Sequence, residues 1–302
     1  MTHVVVNGPA SWNTLVRLPE LPEPYPHLVL ASGHHDGLGG TSAGKAVTLA
    51  ALDVPTTLVT TVGDDEDGAR VLAALRAGRG ADALRVLARP AVGGRTERHV
   101  NLVSDEGDRL SLYLELPTAP PPDDEVLHLV RTARAAVLDL AESSRPLLDV
   151  ARAAGVPVWC DVHDDDSVGD YPRAFAAAAD VLLVSAAQLS DPGAYLAAAV
   201  AGGVRLAVCT RGARGAIARD ADGWWEVGVV DAGPVVDPEG AGDAFLAGLL
   251  RATLAGEPRA RALAEAAATG ALAVTSTALG APHATPGRVA ELARDVRVAR
   301  VE

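Results

Sequence analysis

Short runs of β-branched and aliphatic residues alternate along the chain with Ala- and Leu-rich stretches whose apolar positions recur at helical spacing. The first run is VVV at Val4 to Val6, and later ones include VLLV and RLAVC. Strands followed by ten- to fifteen-residue helices are typical of βαβ units. Strands buried on both faces are expected to be continuously apolar, as these runs nearly are. The pattern therefore predicts an α/β fold with a mainly parallel sheet covered on both faces.

Two segments interrupt this alternation with strand-like pieces. NTLVRLPELPEPYPHLVLASG is rich in proline, and RTERHVNLVSDEGDRLSLYLEL is typical of a hairpin that turns near Gly107. We expect the two to assemble into a small sheet that forms a lid over a cleft, with lid segments at about 12–38 and 94–118 of one domain spanning 1–302. Two unrelated surface excursions are the alternative.

Composition narrows the classes of function. The chain has 302 residues and a formal net charge of −13, so neither nucleic acid nor an anionic membrane surface is an expected partner. The N-terminus lacks a signal-peptide pattern, and no apolar run approaches the roughly 20 residues that span a bilayer. Cys160 and Cys209 end strand-like runs and are expected to be buried thiols, with no metal-ligating set. We expect a soluble, cytoplasmic protein.

The stretch VVDPEGAGDAFLAGLL carries the sharpest chemical signal. It predicts a short strand, then Gly240-Ala241-Gly242, then a helix that begins at Asp243 or Ala244. Small residues at a helix N-terminus leave amide N–H groups free to bind an anion. A neighbouring carboxylate can accept the proton of an attacking hydroxyl group, as phosphoryl transfer requires. The alternative is that Asp243 only caps its own helix.

Three motifs in this sequence resemble those of the PfkB carbohydrate kinases, the ribokinase-like family. The C-terminal signature D-T-x-G-A-G-D-x-F is matched at Asp237, Gly240, Ala241, Gly242, Asp243 and Phe245. The pattern T-x-G-x-x-G is matched at Thr210, Gly212 and Gly215, and G-D-D-x-x-G at Gly63, Asp64, Asp65 and Gly68. Their order and spacing fit over essentially the whole chain.

The resemblance implies a three-layer αβα fold with a β-sheet lid, and transfer of the γ-phosphoryl group of ATP to a hydroxymethyl group of a small sugar or nucleoside-like substrate. It implies that Asp243 is the catalytic base and that the amides around Gly240, Ala241 and Gly242 form the anion hole. Thr210, Gly212 and Gly215 would contact the nucleotide, and Mg²⁺ would arrive with ATP. Some relatives also use a monovalent cation such as K⁺ near the residue matching Asp237, and relatives often form homodimers through the lid.

The stretch GLGGTSAGKAVTLAAL, from Gly37 to Leu52, allows three interpretations. Gly39, Gly44 and Lys45 give most of a Walker loop, but Ala46 lacks the hydroxyl that holds magnesium. A true Walker loop also needs a preceding parallel strand, and HHDGLGG is a poor one. The other interpretations are a plain helix start, or the family's acceptor-site turn G-G-x-x-x-N, which Gly39 and Gly40 match.

Departures from the family pattern concern the substrate. Gly44 replaces the asparagine of that turn, and Asn13 replaces an early aspartate that binds sugar hydroxyls. Ser185 and Gln188 stand where the family has N-x-x-E near the phosphates. Further candidate acceptor-binding residues are Asp161, which follows a strand, and Arg98, on the predicted lid hairpin. A ligand-binding or regulatory protein on the same fold is the alternative to a kinase.

Overall fold

The computed structural model describes residues 3–78 and 80–301. These residues form fourteen β-strands and nine α-helices. The strands are β1 (Val4–Asn7), β2 (Ser11–Leu18), β3 (Gly33–Gly39), β4 (Thr56–Val62), β5 (Leu84–Pro90), β6 (Arg98–Ser104), β7 (Arg109–Glu115), β8 (Ala135–Leu138), β9 (Val158–Asp161), β10 (Val181–Ser185), β11 (Leu206–Thr210), β12 (Ala216–Asp220), β13 (Gly223–Val227) and β14 (Val298–Val301). The helices are α1 (Thr41–Ala51), α2 (Glu66–Ala77), α3 (Asp124–Thr132), α4 (Arg145–Ala153), α5 (Asp170–Ala178), α6 (Pro192–Ala201), α7 (Ala241–Leu254), α8 (Arg259–Ala273) and α9 (Pro286–Leu292).

Ten strands form the central sheet, in the order β14-β13-β12-β11-β10-β9-β8-β1-β4-β5. The seven strands from β11 to β5 in this order are parallel, whereas β12, β13 and β14 continue the sheet in antiparallel pairings. The predicted mainly parallel central sheet is confirmed. The antiparallel end arises from the hairpin that joins β12 to β13 through a short turn at Asp220 to Gly223.

Side chains of the central sheet alternate between two hydrophobic cores. Val4 and Val6 pack with residues of α1, α7 and α8, whereas Val5 packs with residues of α4, α5 and α6 on the opposite face. All three valines are at most 1% exposed. Helices therefore cover both faces of the sheet, and the predicted three-layer αβα fold is confirmed.

A second sheet of four strands, in the order β3-β2-β6-β7, forms the lid. Strands β2 and β6 pair in parallel from Trp12–Arg98 to Leu18–Ser104, so the two interrupting segments join in one sheet rather than lying apart. β6 and β7 form the hairpin expected around Gly107. HHDGLGG, which was expected to be a poor parallel strand, forms most of β3, paired with β2. That pairing is antiparallel, so β3 is not the parallel strand of a Walker loop.

The segment before the G-A-G-D motif differs from its prediction. Residues 231–240 form no strand. Val235 is 71% exposed and Val236 is 44% exposed, so they do not enter the buried sheet. Pro238, which follows shortly, has no backbone N–H to donate to a neighbouring strand. Helix α7 begins at Ala241, two or three residues earlier than expected, which puts Asp243 in its first turn.

Both cysteines are buried free thiols, as expected. Burial raises the pKa of each thiol, to about 11 for Cys209. Over residues 3–78 and 80–301, no helix combines the length and the apolar character needed to cross a membrane.

Candidate active site

A cleft of about 1630 Å³ lies between the lid and the ends of the central strands. Parallel strands present their carboxyl ends on one edge of a sheet, where ligands bind in open α/β folds. The cleft is lined by most of the residues singled out in the sequence: Asn13, Gly39, Gly40, Asp161, Thr210, Gly212, Gly215, Gly240, Ala241, Gly242 and Asp243. Gly44, Arg98 and Asp237 do not line it.

The N-terminus of α7 opens into this cleft. Gly240 precedes the helix in a left-handed conformation, with φ 75°, and no side chain caps the first turn. A β-carbon on Gly240 would lie 2.8 Å from the backbone nitrogen of Gly280, so only glycine fits this turn. Among the described residues, no acceptor is seen for the amides of Ala241 and Gly242. These amides and the helix dipole form a site suited to an anion.

Asp243 is held by the first turns of α1 rather than by its own helix. Its Oδ1 accepts a hydrogen bond from the hydroxyl of Thr41 and lies 2.8 Å from Nζ of Lys45. Its side chain is 12% exposed and faces the cleft. Burial raises the pKa of Asp243, although the nearby Lys45 cation opposes this effect. The alternative that Asp243 caps α7 is excluded by these contacts.

Lys45 is completely buried and contacts two further carboxylates. Its Nζ lies 2.9 Å from Oδ1 of Asp139 and 3.6 Å from Oδ2 of Asp161. Asp139 also accepts a hydrogen bond of 2.6 Å from Ser42 Oγ. Burial alone would lower the pKa of Lys45, but the three carboxylates outweigh burial and raise it. Lys45 is therefore a cation at neutral pH. Neither Lys45 nor the loop before it has the geometry of a Walker site.

Gly44 lies directly beneath the Asp243 carboxylate. A β-carbon at Gly44 would lie 2.8 Å from Oδ2 of Asp243, closer than real β-carbon contacts allow. The departure from the family's asparagine at this position therefore has a local cause. Any side chain at Gly44 would occupy the space that the carboxylate fills.

Asp161 ends β9 and is 6% exposed. Its Oδ1 accepts a hydrogen bond of 2.9 Å from the amide of His163, and Oδ2 lies 3.5 Å from Nδ1 of the same residue. Burial opposes ionisation, but the charges of His163 and Lys45 lower the pKa of Asp161. Asp161 is therefore an anion at the floor of the cleft.

The lid turns amide and imidazole groups towards the cleft. Asn13, His99 and Asn101 line it and are each at most 7% exposed. The Oδ1 atoms of Asn13 and Asn101 are buried and accept no hydrogen bond within the described structure. His99 Nε2 lies 3.0 Å from Oε1 of Glu97, without hydrogen-bond alignment. Buried polar atoms left without partners are costly, by about 1–3 kcal/mol each, so these atoms suit a polar ligand.

Arg98 points away from the cleft, and its predicted contact with substrate is not supported by the geometry. Its guanidinium pairs with Asp67 of α2 at 2.8 Å. Alternation along β6 was expected to turn only one of Arg98 and His99 inward, and that residue is His99. A bulge between these two residues lies where the strand enters the lid.

The nucleotide side of the cleft lies at the ends of β10 and β11. Thr210 ends β11, and Gly212 and Gly215 both have positive φ, at 57° and 76°. Their turn leaves backbone exposed along the cleft wall, where Ser185 also lies. Gln188 is exposed and does not line the cleft.

Asp65 joins the root of the lid to the central domain. It caps α2 by accepting a hydrogen bond of 2.8 Å from the Gly68 amide. It also accepts bonds from the amide and the hydroxyl of Thr96, at 2.9 and 2.6 Å. Burial opposes ionisation, but these donors lower the pKa of Asp65. The G-D-D-x-x-G motif thus fixes the position where the chain enters β6.

Sequence reasoning missed Thr41, Glu97, Asn101 and Asp139, and it considered Lys45 only as part of a Walker loop. The sequence signal that could have revealed Lys45 and Asp139 is a charged residue inside or at the end of an apolar run. Lys45 interrupts the buried face of α1, and Asp139 follows AAVL of β8. A charge in such a position is rarely left without a partner.

A carboxylate beside free helix amides, facing a lidded cleft, defines a phosphotransferase that acts on an alcohol group. The sequence model of the pfkB family carbohydrate kinases matches residues 124–286, more than half of the chain. The chain belongs to the pfkB family of carbohydrate kinases.

Named relatives agree with this assignment. The acarbose 7(IV)-phosphotransferase of Actinoplanes sp. is 32% identical over 281 residues, covering 91% of this chain and 92% of that protein. An ATP-dependent ribose-1-phosphate kinase of Halopiger xanaduensis is 31% identical over 280 residues, covering 90% and 92%. The structure of the microbiome-derived acarbose kinase Mak1 superposes with a TM-score of 0.82 at 29% identity, covering 97% of this chain and 99% of that one. The protein is an ATP-dependent carbohydrate kinase.

Proposed function

We propose that the protein transfers the γ-phosphoryl group of ATP to a hydroxymethyl group of a sugar or sugar-like acceptor, with Asp243 as the catalytic base. One observation carries the proposal: Asp243 lies in the first turn of α7 directly after Gly240, Ala241 and Gly242, no side chain caps that turn, and all four residues line the cleft. A base and an anion site side by side are what phosphoryl transfer to an alcohol requires.

The reaction needs no covalent intermediate on the protein. The acceptor hydroxyl gives its proton to Asp243, and its oxygen forms a bond to the γ-phosphorus. The bond between that phosphorus and the bridging oxygen of ADP breaks. The amides of Ala241 and Gly242 stabilise the charge on the transferred group, because fixed dipoles in a dry site need no reorganisation.

The donor binds along Thr210, Gly212 and Gly215, whose turn lets the nucleotide approach the backbone closely. Magnesium is expected to arrive with ATP, since Mg²⁺ commonly binds substrate phosphates and only one or two carboxylates. When bound, the ion would neutralise charge on the phosphates.

The acceptor is an uncharged polyhydroxyl compound in this proposal. Asn13, His99 and Asn101 offer amide and imidazole groups that bond hydroxyls, and Gly39 and Gly40 line the cleft beside Asn13. The floor of the site carries the anion Asp161, which opposes a second phosphate. The cleft volume exceeds the roughly 300–1,000 Å³ of ordinary small-ligand pockets, so an acceptor larger than a monosaccharide fits beside ATP.

Release of ADP from Mg-ATP tests the proposal, with a panel of monosaccharides, oligosaccharides, nucleosides and sugar phosphates as acceptors. Asp243→Asn is expected to lower kcat by roughly 10²- to 10⁴-fold with the best acceptor. Asp149→Asn makes the same chemical change at a side chain that is 90% exposed and should leave kcat unaltered. Tight ligand binding without ADP release would favour a binding or regulatory protein, and a loss below tenfold for Asp243→Asn would refute the base assignment.

A monovalent cation does not fit the position near Asp237. Oδ2 of Asp237 lies 3.2 Å from Nη2 of Arg17, and the same nitrogen donates to the Val236 carbonyl at 2.9 Å. Asp237 is 3% exposed, and its Oδ1 accepts a bond of 2.9 Å from the Glu239 amide. Since a guanidinium already neutralises this carboxylate, we propose that transfer proceeds without K⁺.

Two further points complete the proposal. The outer face of β7 exposes Leu110, Leu112 and Leu114 by 43–54%, whereas Arg109, Ser111 and Tyr113 line the cleft. This apolar outer face supports a homodimer formed through the lid.

A cytoplasmic location is supported by the use of ATP and by two free thiols, which suit a reducing compartment.

A further inference from the structure

Lys45 carries the only side chain that contacts Asp243, Asp139 and Asp161 together within the described residues. It is 0% exposed, although lysine is almost never fully buried without a partner. Its position on α1 places it below the cleft and out of reach of a nucleotide. A residue so placed acts through Asp243 or serves the fold alone.

The contacts of Lys45 distinguish the two oxygens of Asp243. Nζ lies 2.8 Å from Oδ1 and also donates to the hydroxyl of Thr41, which in turn donates to the same Oδ1. The third contact of Nζ, to Asp139, anchors it to the end of β8. Oδ2 receives no hydrogen bond from the part of the chain that is described, and it lies over the bare Cα of Gly44.

We infer that Lys45 is a positioning residue for phosphoryl transfer: it clamps Oδ1 of Asp243, so that Oδ2 alone receives the acceptor proton, and it keeps the carboxylate ionised. This inference rests on the proposed role of Asp243 as the base. Lys45 itself stays protonated throughout, and the proton on Oδ2 leaves with the product or with water. The clamp uses Thr41 and Asp139 as its supports.

Several charged groups surround Asp243, and the signs of their charges determine how much Lys45 matters for the pKa of Asp243. Burial raises the pKa of Asp243, and Asp161 adds to this effect. Lys45 and His163 act in the opposite direction. Glu239, whose own pKa is raised by burial and by neighbouring carboxylates, faces Asp243 from the turn before α7. Because Lys45 is the nearest cation, its removal leaves Asp243 among like charges and favours the protonated, inactive form.

The test replaces the cation and its anchor together. Lys45→Met alone would leave buried carboxylates unpaired and is expected to fold poorly. Lys45→Met/Asp139→Asn removes one positive and one negative charge while keeping similar shapes. Glu265→Gln is the control, because Glu265 has a side chain that is 2% exposed and pairs at 2.5 Å with Arg251, which is 24% exposed, outside the cleft.

Two measurements are made on each variant. The first is the pKa of Asp243 from ¹³Cγ NMR of aspartate-labelled protein, with the resonance assigned by its absence in Asp243→Asn. The second is kcat and the KM for ATP across pH. In the double variant we expect the pKa of Asp243 and the acid limb of kcat to rise by about 1–3 pH units. We also expect kcat at the optimum to fall roughly 10²-fold, with the KM for ATP within about threefold.

The outcomes separate this inference from the proposed function. An unmoved pKa, or a kcat within about threefold of wild type, in a folded double variant overturns the role of Lys45. The same shifts in Glu265→Gln would also overturn it. If the wild-type protein releases no ADP with any acceptor, the proposed function fails, and the NMR titration still decides whether Lys45 keeps Asp243 ionised. If the double variant does not fold, Thr41→Val is the deciding variant, because the hydroxyl of Thr41 links Nζ of Lys45 to Oδ1 of Asp243. An unchanged kcat in Thr41→Val would refute the clamp.

Discussion

Gly44→Ala is the substitution that the structure predicts most sharply, because it adds one methyl group against the carboxylate of Asp243. The new β-carbon would lie 2.8 Å from Oδ2, whereas ordinary van der Waals contact begins at 3.4 Å. The carboxylate must therefore move by about 0.6 Å or rotate. The contacts of Oδ1 with Lys45 and Thr41 oppose that movement.

The magnitude follows from the cost of misplacing a catalytic group. A displacement of 1 Å can cost about 10²-fold in rate, so kcat of Gly44→Ala should fall by roughly 10- to 100-fold. The KM for ATP should stay nearly constant, since Gly44 does not line the cleft. Stability should change little, because the intrinsic gain of about 0.5–1 kcal/mol for alanine over glycine in a helix offsets the local clash.

Steady-state kinetics and thermal unfolding of Gly44→Ala check this expectation. Gly287→Ala is the matched control, because Gly287 lies in α9 and a β-carbon there would meet nothing within 4 Å. The control should keep its kcat. A Gly44→Ala variant with kcat within about twofold of wild type would refute the placement of Oδ2 over Gly44.

Three further predictions concern the lid and the turn before α7. Asp65→Ala should lower the free energy of unfolding by about 1–2 kcal/mol at neutral pH, measured with urea, through loss of the α2 cap. The pKa of Asp65 is lowered in the folded state, so this difference in unfolding free energy should shrink as pH falls through that pKa. Loss of the bonds between Asp65 and Thr96 should also raise the KM for the acceptor. Rates in K⁺ and in tetramethylammonium buffers should agree within about twofold, and strong K⁺ activation of the wild type would contradict the assignment of Arg17 to Asp237. Sedimentation should detect a dimer that Leu112→Lys on the lid's outer face dissociates, and a monomeric wild type would exclude that interface.

The fold was predictable because its signals are local. Continuous apolar strands such as β10 and helices of regular spacing such as α7 identify themselves within ten to fifteen residues. The segment at Val235 failed this test, since two valines before a proline resemble a strand, but the Val236 amide bonds to the carbonyl of Val274 after α8 rather than to a neighbouring strand. HHDGLGG was expected to be a poor parallel strand, and it pairs antiparallel: β3 owes its structure to pairing with β2 rather than to its own propensity.

In the candidate site, too, the residues with local sequence signals were predictable and those with long-range contacts were not. Asp243 was recognisable because the proposed base, the small residues before it and the helix start are adjacent in sequence. The contacts of Lys45 were not, because they join residues 45, 139, 161 and 243, which only the finished sheet brings together. The choice between Arg98 and His99 stayed open because alternation puts the two side chains on opposite faces of β6 but does not show which face meets the cleft.

The two sequestered sulfhydryls make this kinase well suited to optical measurement. Cys160 and Cys209 are the only cysteines in the sequence, and both are buried with raised pKa values, so neither should react quickly with maleimide dyes. A single cysteine introduced at an exposed position of the β2–β3 connection, such as Leu28, could thus be labelled selectively. A fluorophore there would label the lid at a single site, without removal of any native residue that packs in the core.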